Sequence, residues 1–373
     1  MMQPETVVER EQWDVGGWSV SELCDMAARG LTPMLDPEKG IFCYNYRQTE
    51  SGLVRVNVSP RYTMMTLLGL HRYEMCGRTS PVAAAPVLEA LLKDMQWVTG
   101  AGELGLLLWT CAELAPERIE RIYDQLHAQE GLARYPDGRM GCTMEVAWYL
   151  TGLASCVQAG HGNLPGLSEQ IRAAKEILKR NCGVAGVYGH RSRSKPPAGY
   201  LRRRIGSFAD QVYPTIALAR VSQACQDDEA REMALRTANT MCELQGPLGE
   251  WSWHYDAATG RVISRYPVYS VHQHAMGPMM LFAAGEASGR DFSESIYKGL
   301  AWIGGYNELR RDFIEPDAGL VWRCIYLPPV DKYSDAAMRF FQKRSGATDA
   351  KVKIRYECRP YELGWLLYAF AGR

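Results

Sequence analysis

The chain alternates between two kinds of predicted helix, and this alternation constrains its fold more than any other feature. One kind carries one apolar stripe and one charged face, as in Leu167–Arg180, and recurs at 19–34, 82–97, 116–129, 166–181, 227–244 and 291–307. The other kind is apolar nearly all round and rich in Gly, Ala and Met, at 60–75, 102–114, 141–159, 207–224, 270–286 and 359–371. A helix that is apolar on all sides is buried on all sides. The pattern therefore predicts an all-α fold with a half-buried outer ring and a fully buried inner ring.

The connections between these helices repeat as well. Five of the six outer-to-inner connections carry a glycine followed closely by aromatic residues, at Gly40, Gly131, Gly186, Gly249 and Gly319. The connections that return from inner to outer helices are short. Such repetition is typical of a closed array. We expect one domain over 1–373, with short β-like aromatic loops at one face and two insertions there, 189–206 and 328–359.

This arrangement resembles the six-hairpin (α/α)6 toroid, which many glycoside hydrolases, polysaccharide lyases and sugar epimerases share and to which the barrels of terpenoid cyclases are related. The resemblance covers nearly the whole chain. The segments Tyr269–Gly289 and Ser295–Leu309 also resemble the C-terminal helical domain of glucuronyl C5-epimerases. No family-diagnostic catalytic motif accompanies either resemblance. Because a fold does not determine function, the function depends on the residues of the site itself.

Composition and charge exclude several classes of protein. The 42 Lys and Arg residues balance 42 Asp and Glu, so the basic excess of a general nucleic-acid binder is absent. No apolar run reaches the roughly 18 residues that a membrane span needs. The N-terminus is polar and acidic, unlike a signal peptide. The eleven cysteines are scattered without a C-x-x-C pair, which favours reduced thiols. These features predict a cytoplasmic protein.

The aromatic loops predict a cleft. They emerge at the same end of the ring as the N-termini of the inner helices, where unpaired N–H groups favour negative charge. Flat aromatic faces stack on sugars or shelter a hydrocarbon chain; alternatively, they plug the end of the barrel. The candidate substrate-binding residues are Arg61, Tyr62, Tyr188, Trp251, Trp253, His254, Trp322 and Arg323.

Proton-transfer groups stand in or near the first turns of the inner helices. The candidate catalytic residues are Tyr269, His272, His274, Glu145, Asp210, Glu250 and Glu362. Histidine titrates near neutral pH and suits general acid–base chemistry. The alternative is structural, because first-turn acids are favoured by the helix dipole and a buried histidine can bond to backbone. On a helix, His272 and His274 lie about 200° apart and cannot both face one pocket; if the helix begins at His274 instead, both could point into the mouth from an extended segment. The spacing gives no zinc site, and we expect neither metal nor cofactor.

Positive charge is concentrated in the two insertions, for example at Arg202, Arg203 and Arg204. This predicts an anionic substrate such as a uronate, a sulfated sugar or a diphosphate, unless the insertions are solvated loops. Arg61 and Arg323 would then hold a substrate carboxylate in bidentate fashion.

The favoured prediction is a carbohydrate-active enzyme, a lyase, epimerase or hydrolase, that acts on an acidic glycan or glycan intermediate, for instance during polysaccharide biosynthesis. A terpenoid cyclase or another prenyl-diphosphate enzyme is the first alternative, although its aspartate clusters are missing and Asp227–Asp228 is typical of a helix N-cap. A non-catalytic glycan-binding or scaffold protein is the second.

Overall fold

The computed structural model describes residues 15–127, 142–190, 204–328 and 352–373. Over these ranges, twelve α-helices form two concentric rings. The inner helices are α2 (Pro60–Met75), α4 (Ala101–Leu114), α6 (Thr143–Gln158), α8 (Ala209–Cys225), α10 (Gly277–Ser288) and α12 (Pro360–Phe370). The outer helices are α1 (Val20–Leu31), α3 (Ala84–Lys93), α5 (Ile119–His127), α7 (Leu167–Asn181), α9 (Asp228–Glu243) and α11 (Ser293–Ala301).

The inner ring is closed. Each inner helix packs against the next, and α12 packs against both α10 and α2. The outer helices cover this ring, with α3 on α2, α5 on α4, α7 on α6, α9 on α8 and α1 on α12. The predicted (α/α)6 toroid is confirmed.

Glycines let the inner helices approach backbone to backbone. A Cβ atom at Gly69 would lie 1.9 Å from the carbonyl oxygen of Gly364, and one at Gly152 would lie 2.2 Å from that of Gly105. Side chains at these positions would push α2 away from α12 and α6 away from α4. The glycine-rich composition of the inner helices therefore follows from the narrow ring.

Local capping sets where several helices begin. At α2, the Ser59 hydroxyl accepts a hydrogen bond from the backbone N–H of Tyr62 at 3.2 Å, and Pro60 occupies the first turn, where its missing N–H costs nothing. At α9, Asp227 accepts from the N–H of Ala230 at 2.9 Å. Asp227 is thus the N-cap that the sequence predicts.

The strands lie in the outer-to-inner connections, as expected for the β-like loops, and all pair antiparallel. β1 (Cys43–Thr49) and β2 (Gly52–Val58) form a hairpin that β11 (Glu357–Cys358) extends, with Tyr46 opposite Cys358. β3 (Ile205–Ser207), β4 (His254–Asp256) and β5 (Arg261–Ser264) form a second sheet. β6 (Val268–Tyr269), β9 (Cys324–Tyr326) and β10 (Lys353–Arg355) form a third, and β7 (Ile314–Glu315) pairs with β8 (Leu320–Val321).

Several outer helices are shorter than predicted, including those expected over 19–34 and 82–97, and the last outer helix differs most. The expected helix over 291–307 ends at Ala301 because the chain turns there. The Asn307 amide donates to the carbonyls of Trp302 at 2.8 Å and Arg311 at 2.7 Å, which fixes the turn. Most of both basic insertions, 191–203 and 329–351, lies outside the described residues. Where the structure describes the chain, no helix is long and apolar enough to cross a membrane.

Candidate functional site

A cavity of about 200 Å³ opens at the end of the ring where the inner helices begin. This is the end at which the sequence predicts a cleft. Its walls come from four inner helices, from the turn that leads into α10 and from the strand-bearing loops above them. The lining residues are Arg61, Tyr62, Met65, Met144, Trp148, Ser207, Ala209, Tyr213, Trp253, Tyr269, Val271, His272, Met276, Arg323 and Tyr361.

Three of the four wall helices, and the turn that leads into α10, contribute residues one turn apart. The pairs Arg61–Met65, Met144–Trp148, Ala209–Tyr213 and His272–Met276 are each spaced i, i+4, and such residues share a helix face. The second member of each pair makes the floor. On the inner helices, the residues predicted from the sequence all lie in or near the first turn. The floor residues, such as Met65 and Tyr213, are therefore not predicted, although the same spacing would have found them.

His272 lies in a π-helical turn, His272–Met276, that precedes α10. Turns of this kind recur at functional sites. The side chain is 7 % exposed, and its ring centroid lies 4.6 Å from that of Phe208 and 5.3 Å from that of Tyr269. Within the described chain, Nδ1 has no hydrogen-bond partner. Burial lowers the pKa of His272 to about 3. A hydrogen bond with the Trp251 backbone raises the pKa in part, and the nearby positive charge of Arg323 lowers it further. His272 is therefore a neutral imidazole at physiological pH.

Tyr269 is the second proton-transfer candidate on the wall. Its ring packs 4.4 Å from that of Trp253, and the Arg323 guanidinium carbon lies 4.9 Å from the Tyr269 ring centroid. The Tyr269 hydroxyl makes no hydrogen bond to a described residue. Burial raises the pKa of Tyr269, which Arg323 opposes. The group stays protonated and can donate a hydrogen bond into the cavity.

Arg323 reaches the cavity from the loop before β9, but its charge is already compensated. Nη1 pairs with Glu362 at the start of α12, and Nε lies 3.1 Å from Glu357. Asn45 donates to Glu357 at 2.9 Å and so ties β1 to this cluster. Burial alone would lower the pKa of Arg323. The negative charge of Glu362 raises it by more, so the pKa of Arg323 lies well above its ordinary value. Burial raises the pKa of Glu362. The sequence predicts that the Arg323 guanidinium binds a substrate carboxylate in bidentate fashion. In the structure, this guanidinium is already paired with Glu362 and Glu357.

Arg61 is paired in the same way. It forms an ion pair with Glu103, and its guanidinium carbon lies 5.1 Å from the Trp148 ring centroid. Burial opposes but does not outweigh the Glu103 contact, which raises the Arg61 pKa. Glu103, which the sequence analysis leaves outside the site, is thus the partner of a wall residue.

The rim above Tyr62 is aromatic and cationic. Tyr44 from β1 stacks on Tyr62 at 5.3 Å with the planes 16° apart, and Tyr62 lies 4.5 Å from Tyr361. Arg359 donates from Nη1 to the Tyr62 hydroxyl at 2.6 Å, and its guanidinium carbon lies 4.6 Å from the Tyr44 centroid. Arg359 ends the predicted basic insertion 328–359, and Tyr44 lies in one of the predicted aromatic loops, but neither is among the predicted site residues.

Asp210 does not reach the cavity wall. The fully buried carboxylate accepts hydrogen bonds from the Ser207 N–H and hydroxyl, both at 2.8 Å, and lies 3.1 Å from His190 Nδ1. It therefore holds the start of α8, as the structural alternative predicts.

Three other predicted residues also bond away from the cavity. Glu250 accepts from the Leu248 N–H and from Arg265, each at 3.0 Å. His254 Nδ1 lies 3.0 Å from the Ser264 hydroxyl. His274, buried two residues beyond His272, has Nε2 3.3 Å from the Glu362 carbonyl, and burial lowers its pKa to about 4.

The remaining predicted residues lie behind or beside the walls. Trp251 packs into the space left by Gly277 and Gly299 and donates from Nε1 to the Met241 carbonyl at 2.9 Å, so it fills the gap between the two rings. Tyr188 is buried and Trp322 stands 5.2 Å from Tyr356, both outside the lining. Glu145 lies in the first turn of α6 beside Gly102, also outside the lining. The plug predicted as an alternative accounts for Trp251, whereas Trp253 faces the cavity.

No group of three or more His, Cys, Asp or Glu side chains in the described ranges could hold a metal ion.

Comparisons with known proteins support the fold. No protein-family profile matches the chain, and no curated protein sequence matches it. Among solved structures, a possible member of the GH105 family from Klebsiella pneumoniae is similar over 99 % of this chain and 94 % of its own, with 12 % identity and a TM-score of 0.62. Cellobiose 2-epimerase from Bacillus thermoamylovorans covers 94 % of this chain and 98 % of its own, with 10 % identity and a TM-score of 0.64. An unsaturated glucuronyl hydrolase specific for heparin covers 94 % of both chains, with 13 % identity and a TM-score of 0.55.

Proposed function

We propose that the chain is a carbohydrate-active enzyme that moves a proton on a sugar ring carbon, as an epimerase or lyase does. One observation carries this: the cavity is lined by a neutral imidazole, His272, and by Tyr269, whose ring centroids lie 5.3 Å apart, and the Tyr269 hydroxyl makes no hydrogen bond to a described residue. The shared fold with proteins named as a cellobiose 2-epimerase and a glucuronyl hydrolase supports sugar as the substrate class.

In this proposal the two groups divide the work. The neutral His272 imidazole takes a proton from a carbon next to a carbonyl or carboxylate group, and the Tyr269 hydroxyl donates a hydrogen bond to the oxygen on which negative charge develops. The positive charge of Arg323 lies 4.9 Å from the Tyr269 ring and stabilises the same charge. Epimerisation is completed when the planar anion takes a proton from solvent on its opposite face and His272 releases the abstracted proton to solvent, whereas elimination expels the group on the next carbon.

Hydrolysis is less well supported by this wall. Glycoside hydrolases ordinarily place two carboxyl groups about 5–9.5 Å apart across the scissile bond. None of the lining residues in the described chain is Asp or Glu. Glu362 and Glu103 are engaged by Arg323 and Arg61. For the same reason, the wall lacks the aspartate cluster that the terpenoid-cyclase alternative needs.

An acidic substrate remains part of the proposal, although the two arginines first assigned to it are paired. Support for it comes from Arg359, whose guanidinium contacts no carboxylate in the part of the chain that the structure describes and bonds instead to the Tyr62 hydroxyl. A guanidinium of this kind can bind a substrate carboxylate or sulfate.

Incubation in D₂O tests the proposal. The purified protein is given glucose, cellobiose, cellobiouronic acid or a uronate oligosaccharide, and ¹H NMR follows deuterium entry at sugar carbons and the appearance of new epimers or unsaturated products. We expect deuterium incorporation, lost in His272→Gln. Release of new reducing ends without deuterium incorporation would show a hydrolase. Binding of these sugars without any reaction would support the glycan-binding alternative.

A further inference from the structure

A column of three tyrosines leads from the protein surface into the cavity. Tyr361 and Tyr62 line the wall, and Tyr44 stacks on Tyr62 at the outer end. Tyr44 is 40 % exposed, while Tyr62 and Tyr361 are half-buried. The column therefore ends in an accessible aromatic ring just outside the cavity.

The outer end of this column is held rigid. Tyr44 lies on β1, which is paired on one side with β2 and on the other with β11. Arg359 follows β11 directly and clamps the column, with its guanidinium carbon 4.6 Å from the Tyr44 centroid and 5.6 Å from that of Tyr62. A platform fixed before binding loses little conformational entropy when a ligand stacks on it.

The platform also carries uncompensated charge. Arg61 and Arg323, deeper in the site, are each paired with a carboxylate, whereas Arg359 has no carboxylate partner within the described residues. An anionic group is therefore favoured at the rim more than on the cavity floor.

From these contacts we infer a second, outer sugar subsite, formed by Tyr44 and Arg359, that binds the next unit of an oligosaccharide and favours a carboxylate or sulfate on that unit. The inference rests on the proposed function, because the reacting unit would occupy the cavity beside His272. It makes the preferred substrate a disaccharide or longer chain whose acidic group lies on the non-reacting unit.

Calorimetric titration of the full chain with glucose, cellobiose and cellobiouronic acid tests the outer subsite. We expect wild-type protein to bind cellobiose about tenfold more tightly than glucose, the worth of one aromatic stacking contact. Tyr44→Ala should bring this ratio close to one. The matched control is Tyr306→Ala, which removes a tyrosine that is 59 % exposed elsewhere on the surface and should keep the ratio.

The charge preference has its own pair of variants. Arg359→Gln should remove the preference for cellobiouronic acid over cellobiose, while Arg47→Gln, an equal loss of charge at an exposed position on β1, should keep it. Equal affinities for glucose and cellobiose, with deuterium exchange intact, would overturn the outer subsite alone. Tyr44→Ala weakening both sugars equally would also overturn it. Failure of every sugar to bind or react would overturn the proposed function along with it.

Discussion

The two ends of the ring both bury arginine among aromatic rings, yet they differ in what remains unbonded. At the closed end, Arg220 donates to the Ser155 hydroxyl at 2.7 Å and to the Tyr368 hydroxyl at 2.8 Å, and pairs with Glu113 at 3.2 Å. The cavity beside it measures about 50 Å³. At the mouth, the cavity is about fourfold larger than the one beside Arg220, His272 lines it, and the Tyr269 hydroxyl makes no hydrogen bond to a described residue.

This difference separates architecture from chemistry. Buried polar groups are nearly always hydrogen-bonded, but the exceptions in the described chain also lie away from the mouth, for example at Asn181 and Asn239. Burial and aromatic neighbours alone would not distinguish Arg220 from Arg323. The mouth differs because its polar side chains line a cavity that a ligand can enter.

The largest expected effect tests the mouth itself. His272→Gln should lower the rate of deuterium exchange into the sugar by about 10²–10⁴-fold, the usual worth of a general base, with little change in melting temperature. His274→Gln is the matched control: the residue is equally buried, but it bonds to the Glu362 carbonyl and lies off the wall. A comparable loss of activity in both variants would contradict the assignment of the base.

The next effect contrasts the two arginines. Arg220→Met should lower the free energy of unfolding by about 3–5 kcal/mol, because Glu113 loses its buried ion-pair partner. The hydroxyls of Ser155 and Tyr368 also lose a hydrogen-bond donor. The activity per folded molecule should change by less than about twofold. Arg323→Met should lower both stability and activity. Urea denaturation and kinetics on the same preparations measure both quantities. If Arg220→Met abolished activity in fully folded protein, the closed end would have a functional role.

Acid stability gives a smaller effect. Because the pKa of His274 falls from 6.5 unfolded to about 4 folded, the unfolded chain binds an extra proton as the pH drops below 6.5. The unfolding free energy therefore falls towards pH 4 by up to about 1.4 kcal/mol per pH unit. His274→Gln should show a shallower acid dependence than wild type in urea denaturation between pH 7 and 5. Parallel curves would show that His274 titrates normally.

The smallest expected effect is a flat pH profile. A histidine base of ordinary pKa would lose activity tenfold per pH unit below about 6.5, whereas His272, with a pKa of about 3, stays neutral. We expect kcat/KM for deuterium exchange to change less than about twofold between pH 5 and 8. An acid limb near pH 6.5 would contradict a desolvated base.

The sequence predicts the scaffold well because apolar residues recur at the helical spacing wherever a helix face is buried. The inner helix predicted over 60–75 is found at Pro60–Met75, and the one predicted over 359–371 at Pro360–Phe370. The mouth and its β-like aromatic loops follow from the repeated glycine-plus-aromatic connections, and the separation of His272 from His274 follows from helical periodicity if the helix begins before His272. The ends of the outer helices are predicted less accurately, because side-chain hydrogen bonds such as those of Asn307 decide where a helix ends.

The site is less predictable, because periodicity does not reveal partners. Glu362 and Arg323 are 39 residues apart in sequence, and only the closed ring shows that they neutralise each other. Asp210 and His272 both stand near the start of an inner helix, yet one bonds inward to its own loop and the other faces the cavity. Tyr44 and Arg359 meet only because β11 returns to β1.

That return has a consequence for how the chain folds. The strand pairing of β11 with β1 and the packing of α12 on α2 join segments about 300 residues apart, so closing the ring carries a large loop-closure entropy and should be slow. Until α12 packs, the face of α2 that it covers stays exposed. The same late step brings Glu362 to Arg323 and Arg359 to Tyr62, so ring closure and completion of the site are one folding event.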